Sequence, residues 1–238
     1  MLVVNDLPNQ LAFTTIRCPP ARGTGGAAPG STLEPLVEFN GDPTSVERAR
    51  PVHKYARLMS STPSSTDRLT FRPWRSEDVD AILEIYSDPV AMRFVGDGRP
   101  LTRDACLTWL EVTARNHEQR GYGMLAMVDR AGDRPDDRIL GCGGIVHPNQ
   151  QSEPEVKYAI RRSHWGRGIA TEAVAAILDH GRDALGLRRI IATSDPANAA
   201  SHRVLEKNGL LRIEDRIEDD GSLTAVHAID FGRIRPER

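Results

Sequence analysis

The 238-residue sequence predicts an α+β domain: a mixed, mostly antiparallel sheet with helices on both faces and one parallel strand pair near its centre. Three observations carry this. Short alternating runs and longer runs at helical spacing follow one another in the order β-α-α-β-β-β-α-β-α-β-β. The stretch from Glu155 to Thr193 is strand, helix, strand, which requires a parallel pair joined by a right-handed crossover. The last two strands flank Asp219-Asp220-Gly221-Ser222, a hairpin signal, so the remainder is antiparallel.

Each element has a local cause. Arg68 to Arg72 alternates and reads as the first strand. Ser76 is expected to cap a helix whose apolar positions Val79, Ile82, Leu83 and Tyr86 fall at i, i+3, i+4 and i+7. Asp88-Pro89 ends that helix and can start another short turn. Thr102 caps a long helix with Cys106, Trp109, Leu110 and Thr113 on one face, closing near Gly121. Met124 to Val128 and Ile139 to Val146 are strands joined by a polar loop, and Glu155 to Ile160 is the next. Gly168 opens a helix carrying Ala170, Val174, Ile177 and Leu178 inward. Arg189 to Thr193 is β-branched and strand-like. Asn198 caps a short helix that Gly209 ends, with Lys207 at its negative pole. Leu210 to Arg216 and Leu223 to Phe231 complete the set.

Composition bounds the function. Net charge is −2, so nothing in bulk charge favours nucleic acid or an acidic membrane. The three cysteines, Cys18, Cys106 and Cys142, lack metal or redox spacing, and the histidines lack ligand spacing, so no metal is expected. No apolar run approaches a membrane span, and residues 1–16 lack the features of a signal peptide. A cytoplasmic protein is the resulting expectation. Residues 1–66 hold eight of the 16 prolines and are rich in Gly, Ser and Thr from Pro19 onward. This segment is expected to be a disordered extension, leaving residues 67–238 as the folded domain. Met59, just before Ser-Ser-Thr-Pro-Ser-Ser-Thr, is a candidate translation start. Gly23-Thr24-Gly25-Gly26-Ala27-Ala28 fits a dinucleotide fingerprint, but neighbouring prolines deny it the strand and helix it needs.

The informative motif is Trp165-Gly166-Arg167-Gly168-Ile169-Ala170-Thr171-Glu172-Ala173. Two glycines, one residue apart, lie between a strand and a helix start. Such a turn aims backbone N–H groups and the positive end of a helix dipole at one point, which suits a phosphate. Taken with Thr66 through Trp74, Glu155-Val156-Lys157-Tyr158, and Asn198-Ala199-Ala200-Ser201 running on to Glu206-Lys207-Asn208-Gly209, the chain resembles the GNAT N-acetyltransferases. Within that family it is most similar to the branch named for the ribosomal-protein enzymes RimJ and RimL. The resemblance covers residues 66 to 233.

The resemblance implies an acetyl-CoA-dependent transfer of an acetyl group to a primary amine, in a ternary complex and without a covalent enzyme intermediate. It implies that the amides around Gly166, Arg167, Gly168, Ile169, Ala170 and Thr171, with Trp165, bind the pyrophosphate of acetyl-CoA, and that Arg162 and Arg161 can help hold its phosphates. It also implies that the parallel strands splay to admit the pantetheine arm, whose amide Asn198 can bind. A main-chain N–H near Ala159 or Ile160 would polarise the thioester carbonyl. Glu155 matches the family's acidic position and is the candidate base, directly or through a water, although Glu155 and Lys157 share a strand face and could simply form a surface ion pair. The helix after Asn198 has Leu205 where many relatives carry an acidic Tyr, so Ser201 is the candidate proton donor to the leaving thiolate. Tyr158, Trp74 and Trp109 are read as packing, and His164 as a solvated loop residue. The acceptor is expected to be a protein N-terminal α-amine or a small-molecule amine, and a homodimer is possible. A second hypothesis is an acyl-CoA-binding module without turnover, which Leu205 and Lys157 leave open.

Overall fold

The computed structural model describes residues 62–96, 98–131, 139–218 and 221–232. The expected extension up to residue 61, most of the loop after Ala131, and Asp219-Asp220 lie outside the described residues. Seven strands form one sheet: β1 (Leu69–Arg72), β2 (Met124–Asp129), β3 (Ile139–Val146), β4 (Glu155–Ile160), β5 (Arg189–Ser194), β6 (Leu211–Ile217) and β7 (Leu223–Asp230). Their spatial order is β1-β2-β3-β4-β5-β7-β6. Only β4 and β5 run parallel, and they are in register at one pair of residues, Glu155 opposite Ile191. The remaining neighbours are antiparallel. The helices are α1 (Val79–Tyr86), α2 (Pro89–Met92), α3 (Arg103–Arg120), α4 (Ile169–Asp183) and α5 (Ala199–Lys207). The predicted strand and helix order is therefore observed, with α2 as an added short turn of helix.

The two sheet faces carry separate cores, as alternation of side chains along each strand requires. On one face Val156, Tyr158 and Ile160 of β4 pack with Ile169, Ala173, Val174 and Ile177 of α4. Ala170, expected to point inward, is only half-buried at the edge of this core. On the other face Ile82, Tyr86 and Trp109 pack against Ala126, Val128, Cys142 and Ala159. Trp109 is 1% exposed and meets Trp74 edge-on with ring centroids 5.5 Å apart, a packing role for both. Burial pushes the Cys142 thiol up to about 12, and the Tyr86 hydroxyl lies 3.0 Å from its sulfur, so it is a structural thiol. Every residue of β3 is buried, because helices cover both of its faces. A Cβ at Gly144 would sit 2.0 Å from the Gly123 carbonyl oxygen, so glycine there lets two backbones touch.

The helix ends follow the predicted chemistry with one correction. The Thr102 hydroxyl accepts from the Ala105 N–H at 3.2 Å, and Gly121 ends α3 at φ +79°. Asp88 accepts from Val90 N–H at 2.8 Å and opens α2. Ser76 does not cap α1. It lies inside a 3-10 turn, Ser76–Asp78, that precedes the helix. Asp78 organises this corner, accepting from both Arg72 terminal nitrogens at 2.7 and 2.9 Å and from the Arg75 N–H at 2.8 Å. A bidentate, charge-assisted pair outcompetes a single hydroxyl bond.

Candidate functional site

Where β4 and β5 diverge, the sheet opens into a cavity of about 500 Å³ bounded by α4, α5 and the segment after α2. Its floor is the glycine turn. Gly166 and Gly168 hold φ at +74° and +75°, the left-handed region that glycine adopts without a Cβ penalty. Gly168 is the N-cap of α4, and the first intrahelical bond runs from the Glu172 N–H to the Gly168 carbonyl at 3.1 Å. Helix geometry therefore leaves the N–H groups of Ile169, Ala170 and Thr171 without intrahelical acceptors. Trp165, Gly166, Gly168, Ile169, Ala170 and Thr171 all line the cavity.

The turn is held from a distance. Glu172, in the first turn of α4, accepts from the Thr66 hydroxyl, from the Arg68 N–H at 3.0 Å and from the Arg68 guanidinium. The same guanidinium donates to the Arg167 carbonyl at 2.7 Å. Arg68 thus fixes the Arg167 carbonyl, and with it the turn, to the start of α4 through Glu172. Burial raises the Glu172 carboxyl, but the donors from Thr66 and Arg68 outweigh it and the net shift is below the usual carboxylate value of 4.5. A depressed folded pKa contributes stability that is present above the unfolded value and lost as pH falls through the folded one, so this tether loosens only in acid. Arg68→Ala is expected to raise the KM for acetyl-CoA about tenfold while changing kcat less than threefold, as measured by steady-state kinetics. Equal losses in both constants would place Arg68 elsewhere in the mechanism.

Above the turn, α5 supplies the polar wall. The Asn198 side chain caps α5, accepting from the Ser201 N–H at 3.1 Å, and both residues line the cavity. Ser201 is 1% exposed, and its hydroxyl lies 3.0 Å from that of Tyr158. Tyr158 is therefore more than packing: it lines the cavity and fixes the Ser201 hydroxyl. Burial pushes its phenol up to about 12, against a smaller opposing effect of the Ser201 bond. Either hydroxyl can be the donor in this contact; with the phenol donating, the Ser201 proton is left for a third atom.

The β4 main chain is also sorted by geometry. The Arg161 N–H reaches the Leu140 carbonyl of β3 at 2.8 Å, so odd-numbered N–H groups of β4 face β3 and even-numbered ones face the gap. Ile160 lines the cavity and its N–H faces the gap, whereas Ala159 packs in the opposite core with its N–H toward β3. Of these two expected positions, only Ile160 can present an amide to a bound thioester. The Trp165 indole donates to the Ile160 carbonyl at 2.7 Å, fastening the turn to the end of β4.

Several expected charges are placed elsewhere. Arg162 is not a cavity residue: its guanidinium faces Asp88 at 3.5 Å in a polar recess that also includes Glu84, Arg161 and Ser163. Arg161 pairs with Glu84 at 3.0 Å. Arg167 is exposed and contributes its carbonyl to the Arg68 tether. The basic groups that line the cavity are Arg93, Arg203 and Lys207, with His164. Sequence reasoning missed Arg93 and Arg203, although Arg203 falls on the same helix as Ser201. His164 is half-buried, and burial, with Arg167 and Arg161 nearby, lowers its pKa from 6.5.

The Glu155–Lys157 pair forms as strand parity predicted, at 2.8 Å, but it is buried rather than at the surface, with residue exposures of 1% and 4%. Glu155 Oε1 accepts from Lys157 Nζ, from the Thr193 N–H at 3.1 Å and from the Thr193 hydroxyl. Its Oε2 accepts from Gln151 Nε2 at 3.1 Å. Four donors on a carboxylate that does not line the cavity are unsuited to receiving a proton from an incoming amine. A base role for Glu155 would therefore run through a water rather than by direct contact with the amine.

Comparison with known proteins agrees with this geometry. The profile of the acetyltransferase (GNAT) domain matches residues 68–211. An uncharacterised N-acetyltransferase, p20, from Bacillus licheniformis is 30% identical over 158 residues, spanning 62% of this chain and 84% of the relative. The structure of a Salmonella typhimurium acetyltransferase, yncA, with its cofactor acetyl-CoA has the same fold, with a TM-score of 0.55 at 18% identity over 71% of this chain and 98% of that one. The ribosomal-protein-S5-alanine acetyltransferase from Vibrio fischeri superposes with a TM-score of 0.58 at 17% identity over 74% of this chain and 100% of that one.

Proposed function

The chain belongs to the GNAT acetyltransferase family and is an acetyl-CoA-dependent N-acetyltransferase, and we propose that its acceptor is an α-amine, on a protein N-terminus or a small molecule. The observation that carries this is one cavity containing an anion-binding helix start and a buried hydroxyl donor, with no carboxylate among the described residues that line it. The resemblance to the RimJ and RimL branch points the same way.

The amine must be neutral to attack. An α-amine with pKa near 8 is roughly one-tenth neutral at pH 7, whereas a lysine near 10.4 is neutral in roughly one molecule in 2,500. With no acidic side chain among the described residues that line the cavity, and Glu155 occupied by four donors, an acceptor that supplies its own neutral fraction is favoured.

In this reading the diphosphate sits on the amides of Gly166 to Ala170 and the pantetheine arm enters the gap between β4 and β5. The amine nitrogen attacks the thioester carbonyl, whose oxygen is met by the Ile160 N–H. As the carbon–sulfur bond breaks, Ser201, oriented by Tyr158, donates a hydrogen bond to the departing sulfur. The proton lost by the amine reaches solvent, and the thiolate takes one back to leave as the free thiol of coenzyme A.

The test mixes protein and acetyl-CoA with paired peptides, one bearing a free N-terminus and one blocked there but bearing a lysine, and follows thiol release. The free α-amine should react at least about tenfold faster at pH 7, and the gap should narrow as pH rises. Faster reaction of the lysine peptide would refute the acceptor class. Coenzyme A binding with no thiol release from any amine would instead favour the silent binding module.

A further inference from the structure

We propose that Glu155 ends the β4/β5 ladder and props the two strands apart, acting as a positioning residue for the cofactor arm. This rests on the reading in which that arm enters the gap. The ladder begins normally: the Ile191 N–H donates to the Pro154 carbonyl at 2.9 Å, and Glu155 stands opposite Ile191. Continued by one step, a parallel ladder would send the Thr193 N–H to the Val156 carbonyl. That N–H goes instead to Glu155 Oε1 at 3.1 Å, and the Thr193 hydroxyl donates to the same oxygen.

A side chain of β4 has thus taken the place of a main-chain acceptor of β4. It reaches β5 from the face opposite α4, because Glu155 shares parity with Ala159 in the other core. The substitution frees the β4 groups that face the gap from the next step onward, namely the Val156 carbonyl and the Tyr158 and Ile160 N–H groups. These are the groups an extended amide-containing arm needs if it is to lie beside β4 as a strand would.

The prop needs its own support. A buried carboxylate is costly unless paired and fully hydrogen-bonded. Lys157 supplies the charge at 2.8 Å, and Gln151 holds the second oxygen at 3.1 Å while also donating to the Glu153 carbonyl at 3.0 Å. Lys157 is thereby explained as the counter-ion of the prop.

The experiment titrates coenzyme A into the full chain by calorimetry, with wild type as the control that tests the function reading by itself. Replacing the pair by apolar residues of similar size, Glu155→Leu with Lys157→Met, avoids stranding one buried charge. This double variant should keep its thermal midpoint but bind coenzyme A at least about tenfold more weakly, because Thr193 can return to the ladder. Glu155→Gln with Lys157→Met keeps an acceptor for Thr193 and should bind within about threefold of wild type. Its pH–rate profile should keep the wild-type acid limb. Thr193→Val should weaken binding about threefold, restored by Thr193→Ser, and this arm stands even if the apolar double variant does not fold. Wild-type affinity in the Leu/Met variant would overturn the proposal. So would a Gln/Met variant with intact affinity, a lost acid limb and a kcat reduced about 100-fold, since that is the signature of a general base. Absence of binding by wild type would bring down the function reading first.

Discussion

Gly168→Val is expected to weaken coenzyme A binding by about 100-fold or more while leaving the chain folded. The residue sits at φ +75°, where a β-branched side chain pays strain on the order of 1–3 kcal/mol. That strain is relieved by turning the backbone, and turning it rotates the N–H groups of Ile169 and Ala170 away from a common point. The core has little to lose, because a Cβ at Gly168 meets only the Arg68 guanidinium, at 3.6 Å. Calorimetric titration of coenzyme A beside a thermal melt separates the two effects. An unchanged affinity would mean that the turn does not grip the diphosphate.

Ser201→Ala is expected to lower kcat by roughly 10- to 100-fold with the KM for acetyl-CoA changed less than about threefold. The hydroxyl is buried and touches Tyr158, and in the proposed mechanism it serves as a donor to the departing sulfur rather than as a binding contact for the nucleotide. Tyr158→Phe should give a smaller loss of kcat, and the double variant should be no slower than Ser201→Ala alone, because Tyr158 acts through Ser201. Independent, multiplicative losses would show that the two hydroxyls work separately.

Much of the site was readable because it is local. The positive φ of Gly166 and Gly168, the cap formed by Asn198 and the start of α4 all depend on a few adjacent residues, and spacing alone exposes them. The alternation of β4 likewise placed Glu155 and Lys157 on one face. What alternation cannot supply is depth: whether that face is wet or dry depends on α1, α3 and β5, which lie far off in the chain. The same pair was therefore legible as a pair and illegible as a buried one.

The parts that were not readable are those made by distant partners. Arg68 meets Glu172 across 104 residues, and no local pattern marks it as the anchor of the glycine turn. Tyr158 is separated from Ser201 by 43 residues, so its hydroxyl looked like an incidental part of a packing residue. Ser76 misled for the converse reason. Its local capping signal was real, but Arg72 and Asp78 formed a stronger interaction at the same corner.

The most direct test is a structure of the protein with coenzyme A bound. The diphosphate oxygens should lie within about 3.2 Å of main-chain nitrogens between Gly166 and Ala170, with the pantetheine chain between β4 and β5. A diphosphate bound elsewhere, with those nitrogens turned from the ligand, would contradict the central claim.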